Sequence, residues 1–120
     1  MDATRAIRHL IFIFELSLGI QQVPDTNKPI LRNLFYLVFN VWFTNWPKGL
    51  KGPPFLTPEP EGSFVEEHAL LVTRMEQFVD ALEREPGRIA VNPSLGAIPL
   101  RTWSRAHGVH CDHHLRQFGV

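Results

Sequence analysis

The chain has 120 residues and a hydrophobic fraction of 44%, which predicts one compact globular domain over residues 1–120. Twelve Lys and Arg residues balance twelve Asp and Glu residues, so the sequence lacks the basic surface that nucleic-acid binding requires. The single cysteine, Cys111, excludes a disulfide within the chain and favours a reducing, cytoplasmic location.

The first predicted helix runs from about Asp2 to about Leu18. Asp2 or Thr4 can accept hydrogen bonds from its first free amides, and Gly19 suits its end. Its apolar residues recur at helical spacing and comprise Ile7, Leu10, Ile11, Phe14 and Leu18.

Two apolar runs bear on targeting and on membrane insertion. Glu15 interrupts the run at residues 10–14 and no small-residue cleavage site follows, so we expect no signal peptide. The run at residues 34–43 is about ten residues long, whereas a membrane span needs about twenty. We therefore expect no stable membrane span. A buried second helix, from about Pro29 to about Asn45, is the better interpretation.

Residues 46–62 are rich in proline, which disfavours a regular helix and predicts a long crossover. Ser63 and Glu66 then match a capping box, which predicts the start of a third helix that ends at Pro86 and Gly87. The apolar stripe of this helix consists of Phe64, Leu71, Val72, Met75, Phe78, Val79 and Leu82.

The stretch between Gly87 and Pro99 is predicted to be a loop, because turn-forming residues dominate it. The fourth predicted helix runs from about Leu100 to about Phe118. Together the elements predict an all-α fold, a bundle of four helices with a long proline-rich crossover.

Histidines are concentrated in the fourth predicted helix. His110 and His114 are one helical turn apart on one face, so their imidazoles can converge on one divalent metal ion. His107 is about two turns from His114, too far for easy convergence, and His113 points away from the pair. Two histidines do not make a tight site, so a third ligand is needed.

His9 is the best candidate for the third ligand, because it lies on an otherwise apolar helix face. His68 is the alternative, since it also has apolar neighbours at helical spacing. Three imidazoles with an open position suit zinc, nickel or iron and do not discriminate among them. The competing interpretation is that these histidines are hydrogen-bonded core residues and the domain is a non-catalytic interaction module.

The C-terminal motif resembles that of a known family. Trp103 followed by residues 110–119 resembles the C-terminal signature of a domain-of-unknown-function family in the DinB-like superfamily. Three further segments resemble parts of that family: residues 46–49, Asn92-Pro93 with Gly96, and His9 with Ser17 and Gly19.

The resemblance implies a four-helix bundle that binds metal through one early histidine and a His-x-x-x-His pair. Carried over by position, these ligands are His9, His110 and His114. The resemblance further implies a metal-dependent transferase or hydrolase that acts on a low-molecular-weight thiol or another small molecule. Whether this chain is an enzyme stays open.

This sequence departs from the family pattern in two places. Family members carry a further helix before the one that bears His9, so the chain resembles an N-terminally truncated member. A missing helix would expose apolar surface and favour a homodimer. Gly108 also replaces a larger residue, at a cost of about 1 kcal/mol relative to alanine.

Overall fold

The computed structural model describes residues 2–23, 56–93 and 95–119. These residues form three helices and one two-stranded antiparallel sheet. In chain order the elements are α1 (Ala3–Leu18), α2 (Phe64–Arg84), β1 (Ile89–Asn92), β2 (Gly96–Pro99) and α3 (Leu100–Gln117). No helix within the described ranges is both long enough and apolar enough to cross a membrane.

The predicted all-α bundle of four helices is wrong, because a β-hairpin stands where a loop was expected and three helices are found in the described ranges. The predicted second helix, from Pro29 to Asn45, lies outside those ranges, as does most of the predicted crossover. The fold is mainly helical with a small sheet.

The hairpin depends on tertiary contacts that sequence periodicity does not reveal. Its four-residue strands are too short for a clear alternation of polar and apolar residues. Gly96 has a φ of 78°, and the Asn92 side chain accepts a hydrogen bond from the Leu95 amide at 2.9 Å. The Trp103 indole of α3 donates to the Ala90 carbonyl of β1 at 3.0 Å, which ties the sheet to the last helix.

The helix ends follow the predicted capping chemistry. Asp2 accepts a hydrogen bond from the Arg5 amide at 2.8 Å, and Gly19 ends α1 with a φ of 79°. Ser63 and Glu66 form a reciprocal capping box at the start of α2. The predictions for these helix boundaries are therefore confirmed.

Residues from all three helices and from β2 form the core. Trp103, fully buried, lies among Ile11, Phe14, Leu71, Phe78, Ile98 and Leu100. The predicted apolar stripe of α2 is only partly buried, since Val72, Met75 and Val79 are exposed. The buried face of α2 instead includes Glu67, a charged residue that a hydrophobic pattern does not select.

A buried ion pair joins α1 to the start of α2. The Arg8 guanidinium donates to both carboxylate oxygens of Glu67, at 3.2 and 2.5 Å, and both side chains are buried. Oε1 of Glu67 also accepts hydrogen bonds from the backbone N–H groups of Glu61 and Gly62, at 2.6 and 3.1 Å. Burial alone would raise the pKa of Glu67, but these hydrogen bonds outweigh it and lower the pKa. The carboxylate therefore anchors both α1 and the chain that leads into α2.

We expect Glu67→Gln to destabilise the fold by about 3 kcal/mol, because it leaves the Arg8 charge buried without its anionic partner. Urea unfolding at neutral pH measures the loss. Glu76→Gln, on the exposed side of α2, is the matched control and should change little. The double variant Arg8→Met with Glu67→Leu should lose less than Glu67→Gln; a greater loss would contradict this account.

Candidate metal centre

The structure brings together three of the predicted ligands. His9 comes from α1, and His110 and His114 come from α3. The Nε2 atoms of His9 and His110 are 2.9 Å apart, and those of His110 and His114 are 3.1 Å apart. One nitrogen from each ring lies within 4.8 Å of the others, and all three side chains are buried.

This spacing suits a common metal ligand set. Zinc–nitrogen bonds of about 2.0–2.1 Å in a tetrahedral site place the ligating nitrogens about 3.3–3.4 Å apart. The distances of 2.9 and 3.1 Å differ from that separation by about 0.5 Å or less. Opening these two distances by that amount would make room for an ion beside His110.

A backbone carbonyl orients His9. Its Nδ1 lies 2.6 Å from the carbonyl oxygen of Leu56. A carbonyl can only accept, so Nδ1 carries the hydrogen, and in the neutral ring Nε2 keeps its lone pair. That lone pair faces His110, which is the orientation that outer hydrogen bonds impose on metal-binding histidines.

The C-terminal end of α3 orients His114. Its Nδ1 lies 2.8 Å from Oε1 of Gln117, one turn further along the helix. His113 stands outside the three-ligand cluster, although it does not face solvent. It is buried, and its ring centroid is 5.1 Å from that of His114. More than one face of α3 is therefore buried at this end of the helix.

His68, the alternative third ligand, is not brought to the pair. It is exposed on α2, where its ring stacks beside Phe64 with the centroids 6.1 Å apart. Its apolar neighbours Phe64, Val65 and Val72 are exposed as well, which the local sequence does not reveal. His9 is therefore the histidine that the tertiary structure adds to His110 and His114.

His107 belongs to the core. Its ring stacks on Phe14 with the centroids 3.8 Å apart, and its Nε2 lies 3.0 Å from the Ser17 hydroxyl. Ser17 donates its own hydrogen to the Phe14 carbonyl at 2.7 Å, so His107 donates to Ser17. A serine whose proton is engaged in this way, with no exposed surface, is not an activated nucleophile.

Burial keeps the three clustered histidines neutral. Desolvation lowers the pKa of His9 despite the hydrogen bond that the ring donates to the Leu56 carbonyl, with a smaller lowering from the nearby His113. Burial and the neighbouring imidazoles lower the pKa of His110 well below 6.5. Burial lowers the pKa of His114 to about 4, although its bond to Gln117 acts in the opposite direction. At neutral pH the cluster therefore presents uncharged imidazoles, the form that binds metals.

Sequence reasoning missed the groups that orient these rings. The Leu56 carbonyl belongs to the backbone of a segment predicted only as a crossover, so no residue type marks it. Gln117 lies three positions after His114 and could have been found by helical spacing alone. Comparison of the chain with protein-family models, curated proteins and solved structures gave no match, so the site is interpreted from its own geometry.

The buried histidines predict that the metal-free protein loses stability in acid. Burial lowers the pKa of His107 from 6.5 to about 3 in the folded state. Between these two values the unfolded chain binds more protons. The contribution of neutral His107 to the free energy of unfolding is therefore complete above pH 6.5 and is lost as pH falls toward 3. The loss is up to about 1.4 kcal/mol per pH unit for each such group.

We expect His107→Phe to reduce the slope of unfolding free energy against pH between pH 6.5 and 4, because phenylalanine keeps the ring contacts and does not titrate. Urea titrations at several pH values give the slope directly. His68→Phe, on the exposed side of α2, provides the control. An unchanged slope in His107→Phe would show that His107 titrates normally in the folded protein.

Proposed function

We propose that this protein binds a divalent metal ion through His9, His110 and His114. The observation that carries the proposal is the approach of three buried Nε2 atoms contributed by two helices far apart in sequence. Each ligand is neutral at physiological pH, and His9 is held with its lone pair toward the others. The resemblance to the DinB-like superfamily predicts the same three ligands and remains a prediction.

A hydrogen-bonded core cluster explains the arrangement less well. The Nε2 of His110 lies within hydrogen-bond distance of two other imidazole nitrogens. A single hydrogen on that atom can point at only one of them, so the lone pair of the other ring faces a nitrogen that does not donate to it. A metal ion accepts all three lone pairs at once, so it satisfies the cluster where a proton does not.

Three imidazole ligands leave coordination positions for water or another small molecule. This donor set suits zinc, nickel or iron and does not select one of them. When bound, the metal would supply Lewis-acid chemistry to a small molecule at an open position. We extend the proposal to a metal-dependent transferase or hydrolase acting on a low-molecular-weight thiol or similar compound, on the resemblance alone. A cytoplasmic location is part of the same proposal.

An interaction module is the second candidate function. The exposed side chains of Val72, Met75 and Val79 form an apolar strip on α2 beside acidic residues, where a partner could pack. In this alternative the histidines are structural and the protein carries no metal. Metal content separates the two functions directly.

We expect metal-stripped protein to take up about one zinc, nickel or iron ion per chain. Replacing His9, His110 or His114 by alanine should weaken metal affinity strongly. The loss should exceed the roughly 10–100-fold that follows when only a hydrogen-bond partner of a ligand is removed. At a free metal concentration of about 100 times the Kd, binding should stabilise the fold by about 2.7 kcal/mol. Isothermal titration and thermal unfolding measure the two effects.

His68→Ala is the matched control for the ligand series, because His68 is exposed and lies outside the cluster. His113→Ala should weaken binding less than His114→Ala, since only His114 contributes a nitrogen to the cluster. A parent protein that takes up no metal after loading would favour structural histidines. Equal affinities of the His114→Ala and His68→Ala variants would have the same meaning.

The pH dependence of metal binding should be shifted to acid by burial. Ordinary histidines, with a pKa near 6.5, would release metal as pH falls from about 6 to 5. Because burial lowers the pKa of His114 to about 4, protons compete only at lower pH. We expect metal to stay bound at pH 5.5 and to be released toward pH 4. Equilibrium dialysis with circular dichroism at each pH tests this, and release at pH 6 by folded protein would contradict it.

A further inference from the structure

A side-chain amide lies between the two adjacent histidines at the end of α3. Oε1 of Gln117 is 2.8 Å from Nδ1 of His114, and Nε2 of Gln117 is 3.3 Å from Nε2 of His113. Gln117 follows these two histidines by three and four positions, so one helical turn brings the groups together. One amide thus contacts a proposed metal ligand and its neighbour in sequence.

We propose that Gln117 is a positioning residue that selects the tautomer of His114 and thereby keeps the Nε2 lone pair of that ring available to the metal. The inference rests on the proposed metal site and specifies how that site is organised. Gln117 itself would not touch the metal.

The argument follows from counting donors and acceptors. The amide oxygen can only accept, so Nδ1 of His114 must carry the hydrogen. The neutral ring then keeps its lone pair on Nε2, which faces His110 at 3.1 Å. The amide nitrogen can only donate, so Nε2 of His113 is an acceptor that the amide already occupies. A metal-binding lone pair is therefore presented by His114 and withheld by His113.

The opposite orientation of the amide would reverse both assignments. Its nitrogen would then donate to Nδ1 of His114, which would place the ring hydrogen on Nε2 and block metal binding there. The same arrangement recurs at His9, whose Nδ1 also faces an oxygen, the carbonyl of Leu56. His9 and His114 thus each donate their Nδ1 hydrogen to an oxygen, as metal-binding histidines generally do with the nitrogen that does not bind the metal.

The side chain of Gln117 is exposed, so its replacement should not disturb the core. Gln117→Glu keeps an oxygen acceptor for His114 and removes the donor to His113. Gln117→Leu removes both functions at similar size. Arg116→Gln is the matched control, because Arg116 is the adjacent exposed residue and contacts Asp112 instead of the histidines.

The first readout is the tautomer of His114 in metal-free protein at pH 7.5, from the nitrogen-15 shifts of its ring. We expect the hydrogen on Nδ1 in the parent, in Gln117→Glu and in Arg116→Gln, and a shift toward Nε2 in Gln117→Leu. The second readout is zinc affinity by competition with a chelator. Gln117→Leu should bind about 10–100-fold more weakly, whereas Gln117→Glu should restore parental affinity or exceed it.

The two readouts separate this inference from the metal site itself. A parent protein with the hydrogen on Nε2 of His114 would overturn the inference, as would an unchanged tautomer and affinity in Gln117→Leu. If the parent binds no zinc, the proposed function fails. The metal-free spectra then still decide whether Gln117 selects the tautomer. Circular dichroism and melting temperature confirm that each variant is folded.

Discussion

The buried ion pair between Arg8 and Glu67 is the constraint that organises the site. Its carboxylate joins α1 to the start of α2 and also holds the amides of Glu61 and Gly62. The chain just before these amides supplies the Leu56 carbonyl that orients His9. A charge pair with almost no exposed surface is costly unless every hydrogen bond is made, so it defines one arrangement of these segments. The position of the first proposed ligand depends on that arrangement.

The direction of the ring nitrogens distinguishes the candidate centre from His107, which is also buried. His107 hydrogen-bonds through Nε2 to the Ser17 hydroxyl and stacks on an aromatic ring. His9, His110 and His114 instead direct nitrogens at one another. Similar burial thus has different chemical consequences, because the first ring faces a hydroxyl and the others face lone pairs.

Helical spacing was sufficient to find part of the site. His110 and His114 are four residues apart, and any regular helix places such residues on one face, so the pair follows from the local sequence. The choice of His9 over His68 was open, because both lie among apolar residues at helical spacing. Only the packing of α1 against α3 brings His9 to the pair, and His68 lies on an exposed part of α2. The Leu56 carbonyl carries no side-chain information and could not have been predicted.

Local chemistry was enough to predict three helices, the two caps of α1 and the capping box of α2, because capping side chains, left-handed glycines and helical periodicity act within a few residues of one another. It was not enough for the hairpin of β1 and β2. Those strands are short, and they are stabilised by pairing with each other and by the Trp103 bond, which joins residues thirteen positions apart. The same limit applies to the three-histidine cluster. His9 and His110 are separated by 101 positions, and the side chains that bring them together contact each other only in the folded chain.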